Sequence, residues 1–508
     1  MFSRLLMIAV LVFAQFFLVI FAYQRLGSTA TQIIHIISSV VAVLLVVFII
    51  NRDIDPAFKL TWIILIVAAP VVGVPLYFAV RSNLGARKAR KRVTEEIHAT
   101  EHFVQPDEEL LREMAEKAPE AAAIARYAEN VGYSTAYRNV GAVYYPSGET
   151  MFRAMMDAIE GAKKFVFLEF FILADGVMWN ELLELLYRKA REGVEIRLLF
   201  DGFSALFKIP VKYEKTLTDA GIQTRVFCPI RPIFSTEQNH RDHRKIVVID
   251  GTLAFTGGIN IADEYINLDQ RFGRWKDAGV SVRGKASRVF TLLFLQSWNT
   301  GGSVRTEDRY ETYLDDPWKD AAEEPSSGYC IPLADNPMDP EQVIETVYID
   351  VLAHAKEYVH ISTPYLILDS KMTNALTSAA KRGVDVAILM PHIPDKKVPF
   401  AIARSHYPEL IEAGIRIYEY TPGFNHGKTF VSDGEKAVVG TSNLDFRSLY
   451  LHFECAAYFW DDRIAADVER DFQETIALSH RMTMKDYDDL TDGERFTGRF
   501  LRLFGPLM

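Results

Sequence analysis

The chain has 508 residues, enough for two domains and a membrane region, and 49% of them are hydrophobic. Its formal net charge of −10 argues against a general nucleic-acid-binding protein. The three cysteines are far apart and odd in number, so they predict neither a disulfide framework nor a metal-ligand set.

Three apolar segments come first in the chain, at residues 5–23, 33–50 and 60–80. Each approaches the length that a helix needs to cross a bilayer. The first could be a signal peptide, although it lacks a convincing small-residue cleavage site. The third contains Pro70 and Pro75, so a kinked or re-entrant segment stays open. We therefore predict that residues 1–92 form a membrane anchor with two to three transmembrane helices.

A basic cluster follows the third apolar segment, and no acidic residue lies among positions 81–92. The positive-inside rule places this side of the membrane in the cytoplasm, and the same charges suit attraction to anionic lipid headgroups. We expect a multi-pass protein whose remaining chain lies on the cytoplasmic side. The cluster consists of Arg81, Arg87, Lys88, Arg90, Lys91 and Arg92.

The rest of the chain predicts an α/β protein with two similar lobes. Residues 151–162 and 179–192 have helix patterns, and residues 165–172 and 194–200 have strand patterns. The same order returns later as a helix at 342–355, a strand at 358–363, a helix that ends at 382 and a strand at 384–390. Central β-sheets flanked by helices are the expected result. The predicted units are a helical connector at 93–130, a first lobe at 131–314, an inter-lobe linker at 315–340, a second lobe at 341–490 and a basic, apolar C-terminal tail at 491–508.

One polar pattern occurs twice at one spacing. A histidine is followed by a lysine two positions later, an aspartate seven positions later and an asparagine 17 positions later. A chance match of one copy is plausible in a chain of this length, but two copies with further matching positions indicate a duplicated half-site. The two sets are His243, Lys245, Asp250, Gly257 and Asn260, and His426, Lys428, Asp433, Gly440 and Asn443, with Ser442 beside the last.

Both motifs lie on strand-like sequence, where alternate side chains share a face. His243 and Lys245 therefore point the same way, as do His426 and Lys428. Such pairs suit a phosphodiester, because lysine neutralises phosphate as a point charge. One histidine could attack phosphorus while the other protonates the leaving alcohol. We expect His243 to attack and His426 to act as acid and base, with the reverse left open by the pseudo-symmetry; the asparagines would donate to equatorial oxygens.

A catalytic histidine needs an acceptor that fixes its second ring nitrogen, and a carboxylate is the common choice. Asp277 and Glu454 follow the two motifs and are the predicted orienting residues, against the alternative of solvated strand-end carboxylates. Asp250 and Asp433 are grouped with the catalytic residues. They also precede glycines, where aspartate forms turns, so a role in structural support stays equally open.

These motifs resemble those of the phospholipase D superfamily and, within it, of the bacterial cardiolipin synthases. The similarity covers about residues 131–490 and includes the text at 167–172, 260–265 and 442–448. It implies two α/β lobes related by a pseudo-dyad, with the active site between them. Many relatives have two apolar N-terminal segments, whereas this chain has three.

The resemblance implies a phosphatidyl-histidine intermediate formed from one phosphatidylglycerol. A second phosphatidylglycerol then takes the phosphatidyl group, which gives cardiolipin and glycerol at a bacterial cell membrane. No metal, organic cofactor or nucleic acid is implied, and the oligomeric state is not predicted. A membrane-bound phospholipase D hydrolase with water as acceptor stays open. A phosphatidylserine synthase, a nucleic-acid phosphodiesterase and a non-enzymatic membrane scaffold are weaker alternatives.

Overall fold

The computed structural model describes residues 17, 29–30, 32–81, 84–131, 134–138, 140–210, 213–230, 239–301, 310–314 and 328–507. The first predicted apolar segment, residues 5–23, lies outside the described residues apart from one position. Of the predicted inter-lobe linker at 315–340, residues 315–327 also lie outside the described residues, whereas residues 329–335 form a strand of the second lobe.

Among the described residues, one helix is long and apolar enough to cross a membrane, and it is α1 (Gln32–Ile50, 19 residues). The third apolar segment is not one span. It divides at Ala69 into α2 (Pro56–Ala68) and α3 (Pro70–Arg81), of 13 and 12 residues, which pack against each other. A rise of about 1.5 Å per residue makes each roughly 20 Å long, short of a hydrocarbon core about 30 Å thick. Proline at position 70 lacks the N–H that a continuous helix requires.

The predicted helical connector at 93–130 is helical, but its first helix begins earlier, at Leu84, within the predicted anchor. Three α-helices cover residues 84–130 and pack on different parts of the molecule. Helix α4 (Leu84–Thr100) contacts the first lobe, where Gln296 donates a hydrogen bond to Thr100 (2.8 Å). Helices α5 (Glu108–Lys117) and α6 (Pro119–Asn130) bury their apolar faces in the hydrophobic core of the second lobe.

A seven-stranded sheet forms the first lobe. Its strand order is β2-β10-β8-β7-β3-β4-β5, with β3, β4 and β5 parallel and the other neighbours antiparallel. The strands from this half of the chain are β1 (Tyr137–Arg138), β2 (Gly141–Tyr145), β3 (Phe165–Phe170), β4 (Glu195–Asp201), β5 (Gln223–Phe227), β6 (Arg241–Asp242), β7 (Ile246–Ile249), β8 (Leu253–Gly257), β9 (Arg274–Lys276) and β10 (Gly279–Arg283). The helices are α7 (Gly148–Glu160), α8 (Val177–Arg191), α9 (Gly202–Phe207), α10 (Tyr213–Asp219), α11 (Ser287–Thr300) and α12 (Glu311–Leu314).

The second lobe repeats this order as β11-β20-β18-β17-β12-β14-β15 and adds β21 at one edge and β1 at the other. Its strands are β11 (Tyr329–Asp335), β12 (Tyr358–Ser362), β13 (Leu366–Ile367), β14 (Asp385–Pro391), β15 (Arg416–Tyr420), β16 (Gly423–Asn425), β17 (Thr429–Ser432), β18 (Lys436–Gly440), β19 (Leu444–Asp445), β20 (His452–Trp460) and β21 (Ser479–Met482). Its helices are α13 (Val343–His354), α14 (Ser370–Lys381), α15 (Lys397–Glu412), α16 (Phe446–Tyr450), α17 (Asp462–Ile476), α18 (Met484–Asp488) and α19 (Asp492–Arg502). The predicted class, two pseudo-symmetric α/β lobes after an apolar N-terminal helix, is confirmed.

The two sheets share one hydrophobic core, in which Phe167 and Phe294 of the first lobe lie in the same cluster as Val439 and Phe453 of the second. Burial of this much apolar surface between the lobes stabilises one fixed arrangement of the two sheets. The arrangement brings the ends of β7 and β17, where the two motifs begin, to the same region between the lobes.

Candidate active site between the lobes

His243 is held by a carboxylate of the opposite lobe. Its Nδ1 lies 2.8 Å from Glu454 Oε1, and both side chains are buried. Backbone pairing sets this distance: β6 runs parallel to the start of β20, and the His243 N–H donates to the carbonyl of Phe453 (3.0 Å).

His426 repeats the arrangement with the lobes exchanged. Its Nδ1 lies 2.7 Å from Asp277 Oδ2, and both groups are buried. Strand β16 runs parallel to β9, and the His426 N–H donates to the carbonyl of Lys276 (2.6 Å). Each motif therefore supplies its histidine to a pair whose carboxylate comes from the other half of the chain.

A carboxylate beside Nδ1 fixes the tautomer, because the ring must donate its Nδ1–H and so keeps a lone pair on Nε2. Burial, together with the Lys245 and Lys428 charges, holds the pKa of His243 well below its ordinary value. Burial and Lys428 likewise lower the pKa of His426 to about 4, against the opposing effect of Asp277. Both shifts favour the neutral imidazole at pH 7.

The lysines point to the same place as the histidines. Lys245 Nζ donates to the His243 carbonyl, and Lys428 Nζ donates to the His426 carbonyl. Burial lowers the pKa of Lys245 to about 8 and that of Lys428 to about 7. Two buried ammonium groups with few acceptors indicate a site built for an anion.

The two carboxylates are themselves fixed. Thr441 Oγ1 donates to Glu454 Oε2, and the Cys455 N–H in turn donates to Thr441 Oγ1 (3.0 Å). In the first lobe, the Ala278 N–H donates to Asp277 Oδ1 (2.9 Å), and Trp275 Nε1 donates to Oδ2 (3.2 Å). Burial alone would raise the pKa of Asp277, but His426 and Lys428 hold it below its ordinary value. Thr441 was not predicted as a site residue, although it lies within the second motif, between Gly440 and Asn443.

Gly257 and Gly440, the glycines of the two motifs, allow neighbouring strands to pack closely. A Cβ at Gly440 would lie 2.5 Å from the carbonyl oxygen of Cys455, next to Glu454. At Gly257, which has a φ of +155°, it would lie 2.5 Å from Gly279 Cα. Both contacts are too close for any other residue. The two glycines therefore let β8 and β18 pack closely against β10, which begins just after Asp277, and β20, which carries Glu454.

Asp250 and Asp433 lie at the opposite ends of β7 and β17 from the histidines. Asp250 accepts hydrogen bonds from the backbone N–H groups of residues 163–165 (2.7–2.9 Å), and Asp433 does the same for residues 356–358 (2.9–3.0 Å). Both adopt positive φ, at +50° and +54°. These hydrogen bonds hold the starts of β3 and β12, and they favour the structural role of the two aspartates over the catalytic one.

The asparagines have unequal surroundings. Asn260 accepts from the Ile172 N–H (2.9 Å) and donates to the Tyr265 hydroxyl (2.8 Å), so its amide is used within the protein. Asn443 donates to Asp445 (3.2 Å), while its buried Oδ1 has no hydrogen-bond partner among the described residues. The Ser442 hydroxyl donates a long hydrogen bond to the Asn443 carbonyl (3.5 Å).

His452 is a further buried histidine beside the site. Its ring centroid lies 5.3 Å from that of His243, and its Nδ1 lies 3.7 Å from Glu454 Oε1. In the part of the chain that the structure describes, neither of its nitrogens has a partner within hydrogen-bond distance. Donor atoms of His243, His452 and Glu454 lie within 4.8 Å of one another. A transition-metal ion bound to these three residues would coordinate the His243 imidazole, which Glu454 orients.

Comparisons with known proteins agree with this geometry. Residues 155–271 and 348–476 match the family described as "Cardiolipin synthase, PLD-like domain", and residues 40–81 match "Phospholipase_D-nuclease N-terminal". A cardiolipin synthase of Geobacillus kaustophilus is 33% identical over 92% of this chain and 92% of its own. An uncharacterised protein of Streptococcus mutans is 42% identical over 91% and 99%. The fold resembles that of a phosphatidylserine synthase of Haemophilus influenzae, with a TM-score of 0.56, 15% identity and coverage of 72% of this chain and 95% of that one.

The placement of Asp250 predicts a stability effect. Replacing it by alanine leaves three backbone N–H groups without their acceptor, which should lower the free energy of unfolding by about 2–3 kcal/mol. Asp433→Ala should do the same. Urea titration followed by circular dichroism measures both, with the exposed Asp157→Ala as a control expected within about 0.5 kcal/mol. An Asp250→Ala protein as stable as the control would remove the structural assignment.

Proposed function

Because the chain belongs to the phospholipase D-like cardiolipin synthase family, we propose that it transfers a phosphatidyl group between two molecules of phosphatidylglycerol. The products are cardiolipin and glycerol. The observation that carries this proposal is the pair of buried imidazoles, each oriented at Nδ1 by a carboxylate of the other lobe. Two oriented imidazoles beside two ammonium groups suit a two-step displacement at one phosphodiester.

In the first step, Nε2 of His243 attacks phosphorus and the bond from phosphorus to the headgroup oxygen breaks. His426, protonated for this step, gives its proton to that oxygen, and free glycerol leaves. In the second step, a terminal hydroxyl of the second phosphatidylglycerol attacks phosphorus. Its proton passes to His426, and the bond from phosphorus to nitrogen breaks.

The pKa shifts of the two histidines support these roles. Burial and the neighbouring lysines hold the pKa of His243 well below its ordinary value, which suits a nucleophile that must stay unprotonated. Burial and Lys428 also lower the pKa of His426, to about 4, but Asp277 opposes them, and an incoming phosphate anion would raise this pKa, which suits the proton donor. Lys245 and Lys428 neutralise the charge that develops on the equatorial oxygens. Asp277 and Glu454 stabilise the imidazolium and the phosphatidyl-imidazole, respectively.

The N-terminal helices place this chemistry at a lipid surface. Helix α1 is apolar and mostly exposed, as a helix in contact with lipid would be. The juxtamembrane basic residues Lys88, Arg90, Lys91 and Arg92 suit an anionic, cytoplasmic leaflet. We therefore place the lobes on the cytoplasmic side of a bacterial cell membrane, with phosphatidylglycerol as the lipid substrate.

Product analysis tests the proposed reaction. Purified protein in phosphatidylglycerol vesicles, without added metal or nucleotide, should form cardiolipin and glycerol in equal amounts, as measured by mass spectrometry. His243→Ala and His426→Ala should each lose activity by about 10³-fold or more, because the two residues act as a unit. Phosphatidic acid as the main product would instead identify a hydrolase, and substantial synthesis by either variant would exclude the shared site.

The crossed carboxylates predict a second effect. Glu454→Gln and Asp277→Asn should each lower kcat by about 10²–10⁴-fold with little change in KM, because the neutral amide no longer fixes the tautomer or stabilises the imidazolium. The matched control is Glu469→Gln. Glu469 lies 2.8 Å from His360 Nδ1 in a histidine–carboxylate pair outside the site. The activity of the Glu469→Gln protein should therefore stay within about twofold of the wild type. Equal losses in all three variants would indicate a general effect on folding.

The lysine pKa values predict the alkaline limb of the pH profile. Lys428 carries its charge below a pKa of about 7 and loses it above, so kcat/KM should fall as pH rises through about 7 to 8. Lys428→Arg keeps its charge throughout this range and should shift the limb upward, towards the pKa of about 8 of Lys245. The exposed Lys356→Arg should leave the profile unchanged. An unshifted limb in Lys428→Arg would assign it to another group.

A further inference from the structure

Three phenylalanine rings connect His243 to the protein surface. The Phe171 ring centroid lies 5.1 Å from that of His243, Phe203 lies 5.8 Å from Phe171, and Phe207 lies 5.0 Å from Phe203. Phe207 is 61% exposed and its neighbour Leu206 is 55% exposed. We call Phe171, Phe203 and Phe207 the phenylalanine ladder.

The ladder is held in a fixed place. Ser204 Oγ donates to the Phe171 carbonyl (2.9 Å) and accepts from the Leu173 N–H (2.9 Å), which ties α9 to the end of β3. Asp201 accepts from the Phe203 N–H (2.8 Å) and caps the helix. Two large apolar side chains at the exposed tip of a firmly anchored helix lose the benefit of burial unless something apolar covers them.

The second lobe provides an internal comparison. Phe165 and Tyr358 are equivalent because their backbone N–H groups bind Asp250 and Asp433 in the same way. Counting on from this pair makes Pro364 equivalent to Phe171. Strands β4 and β14 are equivalent through Glu195 and Asp385, which pair with Phe165 and Tyr358, and this makes Ile393 equivalent to Phe203. The second lobe therefore has no phenylalanine at either of these two positions.

The second-lobe side carries a hydrogen-bonded polar group. The Tyr365 hydroxyl donates to Asp395 (2.6 Å) and accepts from Lys396 Nζ (3.0 Å). Lys396 is also close enough to lower the pKa of His243. The surroundings of the site thus differ between the lobes, with the phenylalanine ladder on one side and the hydrogen-bonded group of Tyr365, Asp395 and Lys396 on the other, although the lobes share their fold.

The membrane anchor packs near the phenylalanine ladder. Phe58 of α2 packs against Phe446 and Tyr450 of α16, with ring centroids 5.7 Å apart in both contacts. His452 follows α16 by two residues, and its ring centroid lies 6.4 Å from that of Phe171, the inner end of the ladder. The anchor therefore packs on the short helix that leads into the strand beside the ladder.

We propose that the phenylalanine ladder, with Leu206, receives the diacylglycerol part of the lipid substrate, and that the tip of α9 enters the bilayer. The proposal rests on the proposed function and identifies the apolar path that the substrate takes to the histidines. A lipid whose phosphate lies between the histidines must extend its apolar part in some direction. The ladder begins at His243 and ends at exposed apolar side chains, while the second lobe has Pro364 and Ile393 at the equivalent positions, next to the polar group of Tyr365, Asp395 and Lys396.

Two substrates separate the ladder from the chemistry. One is long-chain phosphatidylglycerol in vesicles, and the other is dibutyryl-phosphatidylglycerol, which is soluble and has almost no acyl chain. The variants are Phe207→Ser, Leu206→Ser and the double variant, all at exposed positions where misfolding is not expected. Leu478→Ser is the matched control, because Leu478 is 57% exposed and precedes β21, away from α9.

We expect kcat/KM on vesicles to fall about tenfold or more in Phe207→Ser, since one large apolar side chain loses its burial in lipid. Activity on the short-chain lipid should stay within about twofold, and Phe207→Leu should recover most of the vesicle activity. Equal losses on both substrates would mean that Phe207 supports His243 by packing, and unchanged vesicle activity would mean that it does not contact lipid. Either result overturns the proposal.

A binding measurement keeps the ladder testable even if the proposed reaction fails. Wild-type protein inactive on both substrates would refute the proposed function alone. In that case, the fluorescence added by Phe207→Trp, taken as the difference from the wild type, should be quenched by brominated lipids in vesicles. Added fluorescence that brominated lipids leave unchanged would place the tip of α9 outside the bilayer and refute the ladder.

Discussion

The hydrogen bond between each imidazole and a carboxylate of the opposite lobe is the interaction on which the rest of the site depends. It fixes the tautomer, frees Nε2 and places the charge that stabilises a protonated or substituted ring. Because the partners are exchanged between lobes, neither half contains a complete set. The shared hydrophobic core, the paired strands β6 with β20 and β9 with β16, and the glycines beside the carboxylates all serve to bring two distant parts of the chain within 2.8 Å.

Duplication gives this site its frame, and departures from symmetry suit it to a lipid. Both lobes use an aspartate at positive φ to hold the start of the central strand, and both aim a lysine at the carbonyl of its histidine. The surrounding residues differ: Trp275 lies beside His426 where His452 lies beside His243, and Asn260 is satisfied where Asn443 is not. A lipid is itself asymmetric, with a polar headgroup and an apolar body, so two identical half-sites would match it poorly.

Much of this arrangement follows from the sequence. Alternation along a strand predicts the shared face of each histidine and lysine, and the repeated helix and strand patterns predict two similar α/β lobes. Spacing alone does not tell which carboxylate meets which histidine, because that depends on how the lobes dock. Spacing alone also does not show that Asp250 lies apart from the histidines, because its position at the far end of β7 depends on the length and direction of that strand. Hydropathy treats residues 60–80 as one segment, whereas the missing N–H of Pro70 divides it.

Trapping the covalent intermediate would test the central claim most directly. Protein mixed with phosphatidylglycerol labelled at phosphorus would be stopped within milliseconds in alkali, because a bond from phosphorus to nitrogen hydrolyses in acid, and then digested for peptide mass analysis. The account predicts one labelled residue per chain, His243, with glycerol released before cardiolipin appears. Label on His426 alone would keep the composite site and reverse the two roles. Label on both histidines in equal amounts, or on neither, would contradict a single site built from both lobes.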